Sequence, residues 1–218
     1  MDTKPLFSPA IKICGISTAE SLETAIAVRA EYAGLVFYAP SPRHVSQNTA
    51  AALGERAKGR IIRVGLFVDA DDALLGEAVA AAQLDVLQLH GAESPARVAE
   101  LKARFDLPVW KALPVAGRDD VLRADAYTSA ADLILFDAKT PKGTLPGGMG
   151  VAFDWNLVAG WKGACAWGLA GGLFAENVAE AIRLTGAPLV DTSSGVESAP
   201  GVKDAAKIAA FCAAARGK

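Results

Sequence analysis

Short apolar runs recur along the chain, separated by stretches in which alanine and leucine fall at helical spacing. The runs lie at residues 11–15, 33–37, 61–68, 86–89, 109–113, 133–136, 164–169 and 189–191, eight in all. Runs of this length, rich in Val, Ile and Leu, read as strands. Between them the spacing predicts helices over 17–31, 50–58, 72–83, 95–105, 177–184 and 204–216, and weaker ones over 119–129 and 154–161. Strand-then-helix units repeating every roughly 20 to 30 residues match a compact α/β fold, a single-domain (β/α)8 TIM barrel. An open doubly wound sheet is the alternative, because periodicity does not show closure.

Side chains alternate along a strand, so Ile11 and Ile13 point to one side while Lys12 and Cys14 point to the other. If the outer strand faces are apolar to pack against helices, Ile62, Val64, Leu66 and Val68 take that face and turn Arg63 and Gly65 inward. The same logic turns Gln88, His90, Lys111, Asp137 and Asp191 inward. Buried charges cost several kcal/mol unless paired, so these groups are expected to pair with one another or stand at the open mouth. Closure makes the first and eighth strands neighbours, which brings Lys12 towards Asp191. For Lys12 and Arg63 the expected role is a register-fixing ion pair. Asp137 ends its strand before a long glycine-rich loop, residues 139–151, and is expected to do chemistry.

Composition narrows the class. Apolar residues make up 52% of the 218 positions, and no Pro/Ser-rich linker or charge block marks a boundary, so one domain over 1–218 is expected. A formal charge of -2 gives no hint of a nucleic-acid or membrane partner. Residues 1–10 lack the basic-then-apolar pattern of a signal peptide, and no apolar stretch is long enough to span a bilayer. The cysteines Cys14, Cys165 and Cys212 form neither a close-spaced metal pair nor an even disulfide set, which suits a reducing cytoplasm. No metal site is expected from them. Cys165 and Cys212 sit in apolar or alanine-rich runs and read as core. Cys14 closes the first strand, at the end of a barrel where active sites are built. The helices' apolar faces are used up on the barrel, so a monomer is the default and a homodimer the alternative.

Two glycine-rich stretches, residues 168–173 and 193–195, follow the seventh and eighth strands. There, barrel enzymes commonly bind a phosphate on backbone N–H groups, and Ser193 and Ser194 would add hydroxyl donors. After the second strand, Ser41-Pro42-Arg43 puts an arginine on the same mouth, where its fork suits a carboxylate. A small molecule carrying a phosphate is the partner these features describe. The 139–151 loop would close over a ligand and exclude water, or be an ordinary surface loop.

In order and spacing, KICGI at Lys12, GLVFYAPSPRHV at Gly34, VGLFVD at Val64, QLHG at Gln88, FDAKTP at Phe136, GLAGGL at Gly168 and VDTSSGVE at Val190 followed by PGVKD resemble the signatures of the phosphoribosylanthranilate isomerase family of tryptophan biosynthesis. The resemblance runs from Ile11 to about Phe211. It implies a cofactor-free Amadori rearrangement of N-(5-phosphoribosyl)anthranilate to 1-(2-carboxyphenylamino)-1-deoxyribulose 5-phosphate. By the same resemblance Cys14 matches the general base, Asp137 the general acid and Arg43 the arginine holding the anthranilate carboxylate. Gly171, Gly172, Ser193, Ser194 and Gly195 match the phosphate site. Asp191 is expected to orient substrate hydroxyls or pair with Lys12, and His90 to line the mouth.

The residue types suit the chemistry. An acid protonates the furanose ring oxygen, opening the ring to a Schiff base; a base then removes the C2 proton to give an enolamine, which tautomerises to the ketone. Asp137 must start protonated, helped by apolar burial against Phe136 and Leu135, and Cys14 must become a thiolate, with Lys12 as the cation beside it. Met149 stands where the family usually has a small polar residue, and Ala175 where it has a proline. The alternatives are a histidine-pathway isomerase, whose usual pair of aspartates does not match Cys14, and a non-catalytic phosphosugar-binding barrel.

Overall fold

The computed structural model describes residues 8–139 and 153–217, so most of the 139–151 loop, Met149 included, lies outside the described residues. Eight parallel strands form one closed sheet: β1 (Ala10–Cys14), β2 (Tyr32–Val36), β3 (Ile62–Phe67), β4 (Val86–Leu89), β5 (Val109–Val115), β6 (Leu133–Ala138), β7 (Ala166–Leu169) and β8 (Leu189–Thr192). Because β1 pairs with β8 as well as with β2, the sheet is a barrel and the open-sheet alternative falls. Helices α1 (Ala19–Ala27), α2 (Gln47–Ala57), α3 (Asp72–Ala82), α4 (Pro95–Phe105), α5 (Arg118–Leu122), α6 (Val178–Thr185) and α7 (Ala205–Ala215) complete the alternation. Among the described residues no helix is long and apolar enough to cross a membrane.

Local chemistry sets the helix ends. Thr18, Ser46, Asp71, Ser94 and Asp204 each accept a hydrogen bond from an N–H in the first turn, and Pro95 adds a preset φ to α4. The cap at Ser46 starts α2 earlier than apolar spacing alone indicates. Two of the expected helices are reduced. The 119–129 segment is α5 followed by a 3-10 turn, Arg123–Tyr127, and the 154–161 segment keeps only the turn Trp155–Leu157. In the latter, aromatic packing does a helix's work: the Trp161 and Trp167 rings meet Phe136 edge-on at 5.3 and 6.0 Å between centroids. A short hairpin, β9 (Glu197–Ala199) and β10 (Val202–Lys203), precedes α7 and has no counterpart among the expected elements.

The core has two layers. Ile11, Ile13, Leu35, Phe67, Ile134 and Phe136 pack between sheet and helices, while Val64, Val86, Trp110, Leu133, Leu135 and Leu189 fill the barrel's inside. Each fully buried side chain of this size contributes about 1.5–3 kcal/mol, against about 0–1 kcal/mol for a surface ion pair, so packing closes the barrel.

That filled interior reverses the expected parity of two strands, Gly65 on β3 included. On β3, Val64 and Leu66 point inward, and Arg63 points out, donating to Asp85 Oδ2 through Nε at 2.8 Å and to the Gly54 carbonyl of α2. On β5, Trp110 and Ala112 point inward and Lys111 points out to Glu93, 3.0 Å away. The assumption that only the outer face is apolar fails where the inner face is packed too. Lys12, Gln88, His90, Asp137 and Asp191 do face inward, and the β1–β8 register sets Lys12 opposite Asp191.

Candidate active site

Every residue singled out for chemistry lines one cavity at the C-terminal ends of the strands: Cys14 and Asp137 from β1 and β6, Asp191 from β8, His90 just past β4, Arg43 after β2, Gly171 and Gly172 after β7, and Ser193, Ser194 and Gly195 after β8. Gly15 (φ +78°) turns the chain away from the mouth directly after Cys14.

On the thiol side, Lys12 is fully buried and its Nζ donates to Asp191 Oδ2 at 2.8 Å. Gly34 on β2 makes room for this group. A Cβ there would stand 2.9 Å from Cys14 Sγ and 3.1 Å from Lys12 Nζ, so any larger residue would push the ammonium and thiol away. Burial works against the Lys12 charge, but Asp191 and Cys14 outweigh it and hold the ammonium above its ordinary value. Burial pushes the Cys14 thiol up; Lys12 pulls against that and Asp191 adds to it, leaving the thiol above its ordinary value. Burial likewise lifts Asp191 against the pull of Lys12. One ammonium cannot hold two anions in so dry a place, and Asp191 has it in direct contact. Lys12, the cation expected beside Cys14, does pull the thiol down, but burial outweighs that pull and keeps it above its ordinary value.

Across the mouth, Asp137 Oδ1 accepts the Ala138 N–H at 2.8 Å and its Oδ2 lies 3.0 Å from His90 Nε2. Gln88 Nε2 is 3.4 Å from the other ring nitrogen of His90, so a Gln88–His90–Asp137 row stands behind the carboxyl. Phe136, expected to shield Asp137, faces the helix layer instead. Gly171 (φ +85°) runs against Ala138 and Asp137, where a Cβ would collide with both. Two buried acceptors in this mouth, Asp191 Oδ1 and Gln88 Oε1, have no partner among the described residues. Buried polar atoms are nearly always satisfied, so these two are acceptors open to a donor from outside the described residues.

Arg43 is buried and held side-on: its Nε and Nη2 donate to Glu197 Oε1 and Oε2, each at 2.7 Å. Lys203 Nζ donates to Glu197 Oε1 at 2.7 Å, to the Ser193 carbonyl at 2.9 Å and to Ser193 Oγ at 3.3 Å. Burial raises Glu197, but Arg43 and Lys203 outweigh it and leave the carboxyl below its ordinary value; burial leaves Lys203 below its own. The phosphate-type loops are tied from behind: Thr192 Oγ1 donates to the Leu173 carbonyl at 2.7 Å, and Asn177 Nδ2 to the Gly172 carbonyl at 2.8 Å. Glu197 and Lys203 fall within the VDTSSGVE and PGVKD stretches but on none of the expected strands or helices. Pro200-Gly201 between two short runs was the available hairpin signal that would have brought both to the mouth.

A thiol and a carboxyl group lining one mouth of a closed (β/α)8 barrel, with two buried cation networks beside them, are the parts an enzyme of proton transfer needs. The N-(5'phosphoribosyl)anthranilate (PRA) isomerase family model matches residues 11–214, and the chain belongs to that family. An N-(5'-phosphoribosyl)anthranilate isomerase of Rhodopseudomonas palustris is 56% identical over 207 residues, covering 94% of this chain and 95% of the relative. The crystal structure of phosphoribosyl anthranilate isomerase from Thermotoga maritima superposes with a TM-score of 0.86 at 34% identity, over 96% of this chain and 100% of the other. A phosphoribosyl anthranilate isomerase solved in complex with reduced 1-(o-carboxyphenylamino)-1-deoxyribulose 5-phosphate gives 0.84 at 32% identity, over 96% and 100%. This protein is thus an isomerase of tryptophan biosynthesis.

Proposed function

We propose that this mouth rearranges N-(5-phosphoribosyl)anthranilate to 1-(2-carboxyphenylamino)-1-deoxyribulose 5-phosphate, with Asp137 as general acid and Cys14 as general base. The observation that carries this assignment is that both groups line one cavity, on strands well apart around the barrel. Asp137, its Oδ2 beside His90, protonates the ring oxygen and the C1–O bond opens to the protonated Schiff base. Substrate hydroxyls donate to the unpartnered Asp191 Oδ1 and loosen its hold on Lys12. The Lys12 ammonium then stands by the Cys14 sulfur as the thiol gives up its own proton to solvent, and the resulting thiolate takes the C2 proton and leaves the enolamine. Arg43 grips the anthranilate carboxylate, and the backbone of Gly171, Gly172, Ser193, Ser194 and Gly195 takes the phosphate. The rearrangement moves protons with no net redox change, so it calls for no cofactor.

The same reading takes residues 1–218 as one catalytic barrel acting as a cytoplasmic monomer on a small phosphosugar, without nucleic-acid or membrane partners. Large exposed apolar side chains in the described surface (Ile62, Leu122, Phe174, Val202) belong to separate elements or loops, which supports a monomer.

Turnover of freshly made phosphoribosylanthranilate, followed by its loss of fluorescence, tests the assignment. Cys14→Ser and Asp137→Asn should each lose about 10²–10⁴-fold in kcat, the usual worth of a general acid or base, and Arg43→Ala should raise KM. Full activity without Cys14 or without Asp137 would overturn the mechanism. An inert wild-type protein that still binds the phosphosugar would favour a binding barrel.

A further inference from the structure

Arg43 does not reach the mouth as a loose surface arginine. Both oxygens of Glu197 are engaged, Oε1 by Arg43 Nε and Lys203 Nζ at 2.7 Å each, and Oε2 by Arg43 Nη2 at 2.7 Å and the Gly201 N–H at 3.2 Å. Glu197 is 7% exposed, and the Lys203 side chain 1%. The hairpin that carries them is locked to the barrel: the Asp204 N–H donates to the Val196 carbonyl at 2.9 Å and Lys207 Nζ to the Glu197 carbonyl at 2.7 Å. Lys203 then bonds Ser193, in the loop assigned to phosphate. One buried carboxylate therefore joins the arginine assigned to the substrate's carboxylate with the loop assigned to its phosphate.

We propose that Glu197 is a positioning residue: it fixes the plane and heading of the Arg43 guanidinium, and through Lys203 ties it to the Ser193 loop, so that the protein selects ligands carrying a carboxylate at a set distance from a phosphate. This rests on the role given to Arg43 above. An arginine side chain has several rotatable bonds, and freezing them during binding would weaken the grip; a bidentate carboxylate freezes them beforehand. Two cations share the one anion, so the cluster keeps a net positive charge where an anionic ligand arrives. Loss of the Glu197 charge would set Arg43 and Lys203 against each other and swing the guanidinium away.

The test uses Glu197→Gln and Glu197→Asp in the full chain. The probes are reduced 1-(o-carboxyphenylamino)-1-deoxyribulose 5-phosphate and the same compound without its carboxylate. Glu197→Gln should raise KM for phosphoribosylanthranilate by about tenfold, with kcat within about threefold. The preference for the carboxylated probe should fall by about the same factor, and Glu197→Asp, which keeps the charge, should recover part of it. An unchanged preference in folded Glu197→Gln would overturn the proposal, as would tighter binding, which would make Glu197 a competitor for Arg43. Should Glu197→Gln not fold, Lys203→Met is expected to lower the preference in the same direction, and no change there would also overturn it. Arg43→Ala separates the layers: if it leaves the preference intact, the assignment of Arg43 itself has failed. If it abolishes the preference while Glu197→Gln does not, only the positioning role is lost.

Discussion

Two buried lysines sit on opposite sides of the same sheet, and the contrast between them separates structure from function. Lys111 Nζ donates to Glu93 Oε2, to the Gly91 and Ala112 carbonyls at 2.8 and 3.0 Å, and more distantly to Leu89, while Glu93 in turn accepts the N–H groups of Asp69 and Gly91. Every polar atom in that cluster has its partner. Lys12 is buried as deeply, yet its carboxylate partner Asp191 has one oxygen with no donor among the described residues, and the pair borders the cavity and the Cys14 thiol. A satisfied buried pair has no acceptor to offer a ligand; one left short of a donor has.

The largest expected effect falls on the satisfied cluster. Lys111→Met strands Glu93 and should cost about 3–5 kcal/mol of stability, a fall in Tm of roughly 6–20 °C for a chain of this size. Thermal unfolding measures it, and kcat of the folded protein should stay within about tenfold, far from the loss expected at a general acid or base. A kcat loss as deep as that of Cys14→Ser would erase the distinction. Asp191→Asn should do the opposite. Its amide still offers Lys12 an acceptor, so Tm should fall less than in Lys111→Met, while kcat/KM drops by at least about tenfold as the ligand's hydroxyls lose a charged acceptor. Equal losses of Tm in the two variants with full activity in Asp191→Asn would mean both pairs are structural.

The smallest effect is a rate of labelling. With the Cys14 thiol held above its ordinary value by burial, thiolate is the minor form near neutrality and grows about tenfold per pH unit until the pKa is reached. Iodoacetamide labelling of the Cys14 peptide, followed by mass spectrometry, should therefore be slow at pH 7, rise with that slope towards pH 9, and be slower still in Lys12→Met. Cys212, pushed up to about 11 by burial, supplies an internal reference that stays unlabelled. Rapid labelling of Cys14 at neutral pH would show a resting thiolate and overturn the charge assignment in the Lys12 cluster.

Much of the site was legible because its residues lie where alternation and strand ends place them. Cys14 follows apolar Ile13 at the end of β1, Asp137 follows apolar Phe136 near the end of β6, and the glycine and serine loops come directly after β7 and β8. The Lys12–Asp191 contact followed from parity plus closure. Arg63 and Lys111 were misplaced because both faces of β3 and β5 are buried, and alternation cannot tell a packed interior from a packed exterior. Their charges are tolerated outside because Asp85 and Glu93, more than fifteen positions along the chain, reach back to them. The Glu197 grip on Arg43 spans a separation of 154 residues and leaves no local pattern at all.

By itself, the order of apolar runs, helix caps and loop glycines determined the eightfold strand-then-helix alternation and which residues stand at the strand ends, since these follow from local periodicity and backbone geometry. Folding decided that the sheet closes, which charges pair, which acceptors lack a partner among the described residues, and how far burial works against the Cys14 thiolate. Those depend on distances between strands far apart in sequence and on how dry each place is, and burial and Coulomb energy are properties of the assembled barrel.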